Sequence, residues 1–180
     1  QAAIVDSEIY DEVKKEFQLH NVYFAKPEEI QQLEDVVMND AKTGVRPNVV
    51  GMHARKIAEL AGLNVPANTK MLVAELPGVG AEYPMSREKL SPVLAMMKSD
   101  STEHGIQLCK QMLDLGGLGH SAALHTRRND LIERFGKEMK ACRVLINSPS
   151  SQAGIGDLYN NNIASLTLGC GSYGRNSVSH

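Results

Sequence analysis

The chain has 180 residues, which is enough for one domain, or two small ones, with a buried core. Its net charge is −2, no stripe of Lys and Arg stands out, and no apolar run approaches the ~20 residues that span a bilayer. These features argue against a nucleic-acid partner and against a membrane partner. No signal peptide is present, and the three cysteines form no CxxC pair, which favours a reducing, cytoplasmic setting.

Short apolar runs alternate with apolar residues spaced three or four apart, which predicts strands alternating with helices. Asp100 and Glu103 have the spacing of a capping box. The alternation predicts an α/β fold, a three-layer sandwich around a mainly parallel sheet. In chain order the predicted elements are a strand over 2–5, a helix capped by Asp6 or Ser7, a short apolar stretch over 21–25, a helix starting at Pro27, a helix over 52–61, strands over 71–76 and 90–97, a helix over 101–115, a strand over 121–126, a helix capped by Asn129 and a strand over 143–147.

The stretch 115–126 is the one around which we expect the chain to be organised. It joins a predicted helix to a predicted strand through a glycine-rich turn, and glycine lets a ligand or another backbone come close. His120 is the titratable side chain of this turn. An imidazole at the mouth of a strand can act as a general base, or it can satisfy a buried carbonyl.

The order of elements makes a geometric prediction about three residues. The strands 90–97 and 121–126, joined by a helix, are expected to form a right-handed crossover in one sheet and therefore to run in the same direction. Glu88 and His120 each precede one of these strands, so both are expected at the same edge of the sheet. Gln1 joins them there if the first strand is also parallel. Ligands usually bind beyond the other edge of a parallel sheet, so either these are surface groups or a second domain covers this edge.

The cysteines give one candidate nucleophile. Cys170 lies between two glycines and could be a reactive thiol, or a small buried side chain in a tight turn. Cys109 falls on the apolar face of a predicted helix and is expected in the core, whereas Cys142 carries no signal. His20, His53, His104 and His125 lack metal-ligand spacing, so we expect no metal, and zinc in particular is not indicated.

Glu88 has two interpretations. Between Arg87 and Lys89 it could form a solvated ion pair. In a cleft, its carboxylate could accept both hydroxyl groups of a ribose. The chain contains neither a G-x-G-x-x-G turn after a strand nor a P-loop, so it has no phosphate-binding turn of its own.

Several separated motifs carry a resemblance to a known family. Glu-Lys-Leu-Ser-Pro-Val at 88–93 resembles the Glu-Ile-Phe-Gly-Pro-Val segment of the aldehyde dehydrogenase superfamily. Further motifs are similar to the CoA-acylating branch, most closely to the aldehyde dehydrogenase half of bifunctional aldehyde–alcohol dehydrogenases. They are Gly-His-Ser at 119–121, Asn-Ser-Pro-Ser-Ser-Gln at 147–152, Gly-Ile-Gly-Asp-Leu-Tyr at 154–159 and Leu-Thr-Leu-Gly-Cys-Gly-Ser-Tyr-Gly at 166–174.

The resemblance implies a reaction and roles for particular residues. The family interconverts an acyl-CoA, typically acetyl-CoA, and its aldehyde with NAD, through a thioester on a cysteine. Glu88 matches the glutamate that holds the nicotinamide ribose, and Leu90 matches the residue beside the nicotinamide. His120 matches a histidine proposed as acid/base near the thioester, and the loop 147–153 matches a wall of the aldehyde pocket. Coenzyme A is then a co-substrate, and relatives form homo-oligomers.

The chain departs from the family pattern at its beginning. The nucleophilic cysteine is expected a few residues upstream of Gln1, and Cys170 does not match it. The dinucleotide-binding domain and any iron-binding alcohol dehydrogenase residues are not included either. Residues 1–180 therefore resemble the cysteine-bearing catalytic domain, starting just after the nucleophile, and this fragment is expected to be inactive alone.

Three alternatives remain at this point. The segment could serve mainly in oligomer or filament assembly, and the aldehyde could be longer than acetaldehyde. An autonomous thiol hydrolase using Cys170 and His120 is the third alternative, although no orienting acid or oxyanion signature accompanies that pair.

Overall fold

The computed structural model describes residues 1–116, 118–156, 161 and 164. The chain divides into two compact units, Gln1–Leu108 and Cys109–His180, which are described separately below. The strands are β1 (Ala2–Asp6), β2 (Val22–Phe24), β3 (Met71–Glu75), β4 (Val93–Ser99), β5 (Gly119–Leu124) and β6 (Ala141–Ile146). The helices are α1 (Tyr10–Leu19), α2 (Pro27–Val37), α3 (Ala54–Leu60), α4 (Thr102–Gly116), α5 (Asn129–Glu138) and α6 (Ser150–Ala153).

The first unit is built on a four-stranded sheet with the strand order β1-β4-β3-β2. All three pairings are parallel, with Ala2 opposite Ala95 between β1 and β4 and Leu72 opposite Val93 between β3 and β4. The α/β fold around a mainly parallel sheet, expected from the alternation of elements, is therefore confirmed.

Alternate residues of β3 face two separate cores, as a period of two requires. Val73 packs on one face with residues of α1, among them Tyr10. Leu72 and Ala74 pack on the other face with α2 and α3. Helices cover both faces because each face is apolar, and this unit consequently has three layers.

The start of α2 is determined by residues that are recognisable in the sequence. Pro27 occupies the first helical position, where its missing N–H costs nothing. The Glu29 carboxylate accepts the backbone N–H of Lys26 at 2.8 Å. The apolar stripe then places Leu33 and Val37 in the core, each with no exposed surface.

Several predicted boundaries were wrong. Ile9, rather than Asp6 or Ser7, is the residue before α1, and Asn129 is the first residue of α5 rather than its cap. Strand β4 begins at Val93, not at residue 90, because Leu90 has a positive φ of 46° and Pro92 has no N–H to donate to a ladder. The cap of α4 is Ser101, whose hydroxyl accepts the N–H of His104 at 3.1 Å, rather than Asp100 with Glu103.

The second unit contains a parallel pair, β5 and β6, that forms a two-stranded sheet of its own. Phe135 of α5 and Leu145 of β6 are buried in it. Since β4 and β5 belong to different sheets among the described residues, the expected crossover within one sheet is wrong. The expectation that two strands joined by a helix share a sheet does not hold here. No helix in the described part of the chain has the length and apolarity needed to cross a bilayer.

Candidate functional site

The segment 85–92 lies at the amino edge of the four-stranded sheet; it starts within the short 3-10 turn Pro84–Ser86 and leads into β4. Because β1 and β4 are parallel and in register, the residues that precede them share this edge. Gln1 accepts a hydrogen bond from the Lys89 N–H on its Oε1 at 3.2 Å and donates from Nε2 to the Ser91 carbonyl at 3.3 Å. The expected position of Gln1, beside the segment that carries Glu88, is confirmed.

Lys89 is fully buried in this segment. Its ammonium donates to three backbone carbonyls, those of Met85 and Arg87 at 2.7 Å each and that of Gln1 at 3.2 Å. An ammonium has three protons, so each has an acceptor. Burial lowers the pKa of Lys89 to about 7, while the nearby Glu88 carboxylate acts in the opposite direction.

Leu90 is held in an unusual backbone conformation. Its φ of 46° lies in the left-handed region, which residues other than glycine rarely adopt. The Leu90 carbonyl accepts the N–H of Gly51 at 2.8 Å, and the Gln1 amide bonds the residues on either side of Leu90. The Leu90 side chain is 44% exposed. A strained residue kept outward by several anchors is a common feature of functional sites.

Glu88 is exposed and forms no hydrogen bond or ion pair with any other described residue. The interpretation of Glu88 as part of a solvated ion pair with its neighbours is therefore wrong for Lys89, which points inward. Two buried polar atoms nearby, Arg87 Nε and Ser91 Oγ, also lack a hydrogen-bond partner among the described residues. The arrangement presents a carboxylate and an apolar side chain outward from one short, well-anchored segment.

Sequence reasoning missed Lys89 as a site component. Lysine is almost never fully buried, and here its partners are backbone carbonyls, which leave no trace in the sequence. The one available signal was the position of Lys89 between two residues matched to cofactor contacts.

In the second unit, the backbone of His120 is the second residue of β5, so the strand begins earlier than predicted. The His120 side chain lies outside the described residues, as do Cys170 and its flanking glycines. The loop after β6 returns towards the start of β5. A Cβ added to Gly154 would lie 3.7 Å from Ser121 Oγ, so this loop passes close to the residue that follows His120.

The loop 147–153 is fixed at its start by Asn147. The Thr126 N–H donates to Asn147 Oδ1 at 2.8 Å, and Asn147 Nδ2 donates to the Thr126 carbonyl at 2.9 Å. Asn147 also has a positive φ of 52°, which asparagine tolerates better than most residues. The turn that redirects the chain out of β6 is thus specified by a single side chain.

Among the described side chains, the other cysteines and histidines form no second centre. Cys109 is partly buried, and burial raises the pKa of its thiol to about 11, so the thiol is protonated near neutral pH. Cys142 is exposed. Among the residues that the structure describes, no three His, Cys, Asp or Glu side chains form a group that could hold a metal ion.

Comparison with known proteins identifies relatives over nearly the whole chain, although no family model matches it. The chain is 50% identical over 185 residues to an aldehyde-alcohol dehydrogenase of Streptococcus pneumoniae serotype 4. That match covers 99% of this chain and 21% of the relative, so the chain spans about a fifth of its length.

Solved structures give the same family. An acetylating aldehyde dehydrogenase from Geobacillus thermoglucosidasius aligns with a TM-score of 0.88 and 37% identity, over 96% of this chain and 38% of that one. An engineered glycolyl-CoA reductase with bound NADP+ aligns with a TM-score of 0.76 and 25% identity, over 90% of this chain and 35% of that one. In sequence and in fold, this chain is therefore similar over nearly its whole length to acetylating aldehyde dehydrogenases and to a segment of the aldehyde–alcohol dehydrogenases.

Proposed function

We propose that this chain is part of an NAD-dependent, CoA-acylating aldehyde dehydrogenase that interconverts acetaldehyde and acetyl-CoA through a cysteine thioester. The observation that carries the proposal is the exposed pair Glu88 and Leu90 at the amino edge of the four-stranded sheet. The 50% identity to an aldehyde-alcohol dehydrogenase supports it. The nucleophilic cysteine belongs to the sequence upstream of Gln1.

The residues at this edge fit a nicotinamide nucleoside. The Glu88 carboxylate offers two acceptor oxygens that no other described residue engages, and a ribose offers two neighbouring hydroxyl donors. Leu90 offers an exposed apolar surface beside it for a flat ring. The glycolyl-CoA reductase named above has NADP+ bound, and NAD is our choice for this protein. When bound, the nicotinamide supplies the hydride acceptor in the oxidative direction.

His120 is the proposed acid/base of the acyl transfer. A neutral imidazole can take up the proton that coenzyme A loses from its thiol, and the resulting imidazolium can return a proton to a leaving group. The role requires His120 to lie near the thioester, and the resemblance of Gly-His-Ser at 119–121 to the family's motif supports it. The loop 147–153, anchored by Asn147, is proposed to form one wall of the aldehyde pocket.

The complete protein is further proposed to be a cytoplasmic homo-oligomer. The small net charge, the relatives and the motifs support a metabolic enzyme that binds an aldehyde and coenzyme A, without a nucleic-acid or membrane partner.

The test is to express this chain with its upstream sequence and to assay the purified protein with acetaldehyde, NAD and coenzyme A. NADH and acetyl-CoA are expected to form together, and only when coenzyme A is present. A variant in which Ala replaces the upstream cysteine is the control for background. Formation of acetate without coenzyme A, or no NADH from any aldehyde, would overturn the proposal. A higher kcat/KM for longer aldehydes than for acetaldehyde would change the proposed substrate but not the proposed reaction class.

A further inference from the structure

Lys89 is the largest fully buried side chain in the first unit, although it lies between two exposed residues. Burying an ammonium is costly unless all its protons are bonded. Here the acceptors are three carbonyls from two different parts of the chain: Met85 and Arg87 in the preceding turn, and Gln1 at the start of the first strand. No carboxylate accepts from this ammonium among the described residues, so the group serves as a crosslink between backbone segments.

We propose that Lys89 is a positioning residue that fixes Glu88 and Leu90 for the cofactor by tying their segment to the stretch that follows the expected nucleophile. This inference rests on the function proposed above. Lys89 is buried while Glu88 and Leu90 on either side of it are exposed, and the three share one short stretch of backbone, so holding Lys89 inward restricts where its two neighbours can project. The ammonium thereby determines which way the cofactor-facing pair projects.

Other hydrogen bonds around Lys89 also restrain this segment. The Gln1 amide bonds both the N–H of Lys89 and the carbonyl of Ser91, and Gly51 bonds the carbonyl of Leu90. These bonds restrain the backbone at 89–91, but none of them reaches residues 85–87. The Lys89 ammonium is the one described group that connects the turn 85–87, the segment 88–90 and Gln1. Removing it leaves Glu88 attached to a turn with fewer restraints.

The experiment uses the full-length enzyme with Lys89→Met, which keeps length and apolar volume but removes every donor. Lys89→Gln, which keeps an uncharged donor, is made in parallel in case the first variant does not fold. Lys15→Met, at an exposed position on α1, is the matched control. We expect Lys89→Met to raise the KM for NAD by about tenfold or more, because small displacements of positioning groups have effects of this size. The KM for acetaldehyde and the KM for coenzyme A should stay within about twofold.

A double-mutant cycle separates positioning from general stability. If Lys89 acts through Glu88, Lys89→Met should have a smaller effect on the KM for NAD in a Glu88→Gln background than in the wild type. Additive effects would overturn the inference, as would equal increases in all three KM values or failure of both Lys89 variants to fold. Absence of CoA-dependent activity in the wild-type enzyme would instead refute the proposed function. The result of the double-mutant cycle tests only the positioning role of Lys89.

Discussion

The side chain of Asn147 and the backbone of Thr126 exchange two hydrogen bonds, Thr126 N to Asn147 Oδ1 at 2.8 Å and Asn147 Nδ2 to Thr126 O at 2.9 Å. The amide thus imitates one more residue pair of the β5–β6 ladder at the point where both strands have ended. The Asn147 N–H continues the ladder to the Leu124 carbonyl at 2.9 Å. The chain leaves β6 in a direction that these bonds determine.

Replacing Asn147 by Ala is expected to destabilise the second unit by about 2 kcal/mol, since two hydrogen bonds are lost at roughly 1 kcal/mol each. Asn147→Gly is the matched control, because glycine loses the same bonds but tolerates the positive φ. Thermal unfolding of the full-length enzyme should therefore rank wild type above Gly, and Gly above or equal to Ala. An unchanged Tm for both variants would contradict the role assigned to these bonds.

Leu90 has a strained backbone and an exposed apolar side chain. Replacing it by glycine is therefore expected to weaken NAD binding while relieving the backbone strain. Leu90→Ala and Leu90→Gly both remove the apolar side chain, so both are expected to raise the KM for NAD by a similar factor. Glycine alone relieves the left-handed backbone, which costs other residues about 1 kcal/mol, so the Gly variant should unfold at the higher temperature. Leu60→Ala, at an exposed leucine on α3, is the control for simple loss of surface. An unaltered KM for NAD in both Leu90 variants would remove Leu90 from the site.

Glu88→Gln is expected to weaken NAD binding without preventing folding, because Glu88 is exposed and forms no hydrogen bond or ion pair with another described residue. Hydrogen bonds to a charged group contribute about 1.5–3 kcal/mol, so we expect the KM for NAD to rise by roughly ten- to a hundredfold. Glu82→Gln, another exposed carboxylate of the same loop, should leave the KM unchanged. Steady-state kinetics at saturating acetaldehyde and coenzyme A measures both values. Equal behaviour of the two variants would refute the ribose-binding role.

Local rules were sufficient for the elements whose signals are contained in a few adjacent residues. The helix α2 is an example, since Pro27 and Glu29 determine its start and the stripe through Leu33 and Val37 determines its buried face. The parallel sheet of the first unit followed from the alternation of such elements. The same rules placed Gln1 beside the segment that carries Glu88, because parallel strands in register share an edge.

Features that depend on distant backbone could not be predicted. Lys89 is buried because three carbonyls converge on it, and no residue type indicates where carbonyls converge. The strands β5 and β6 pair with each other in a separate sheet. The handedness rule for crossovers does not predict which strands pair. The nearness of His120 to Glu88 depended on that choice and stays a prediction, as does the role of His120.

Lys89 also predicts how stability depends on pH. Burial lowers its pKa to about 7 in the folded protein, while an unfolded chain keeps the ordinary value of 10.5. Between these values the unfolded state binds more protons, so the free energy of unfolding should rise with pH across this range. The Lys89→Met variant lacks this contribution. The Tm of the wild type relative to this variant is therefore expected to increase from pH 7 to pH 10, and a constant difference would contradict the lowered pKa.

Cys109 makes the opposite prediction. Burial raises the pKa of its thiol to about 11, from an ordinary value of 9.0. Between these values the folded state retains a proton that the unfolded state has lost, so Cys109 contributes stability that is lost as pH rises from 9 to 11. Cys109→Ala should cost stability at pH 8 and less at pH 11. Alkylation by iodoacetamide at pH 8, followed by peptide mass mapping, should modify the exposed Cys142 and leave Cys109 unmodified, because the thiolate is the reactive form. Equal modification of the two thiols at pH 8 would show that Cys109 is neither buried nor protonated as described.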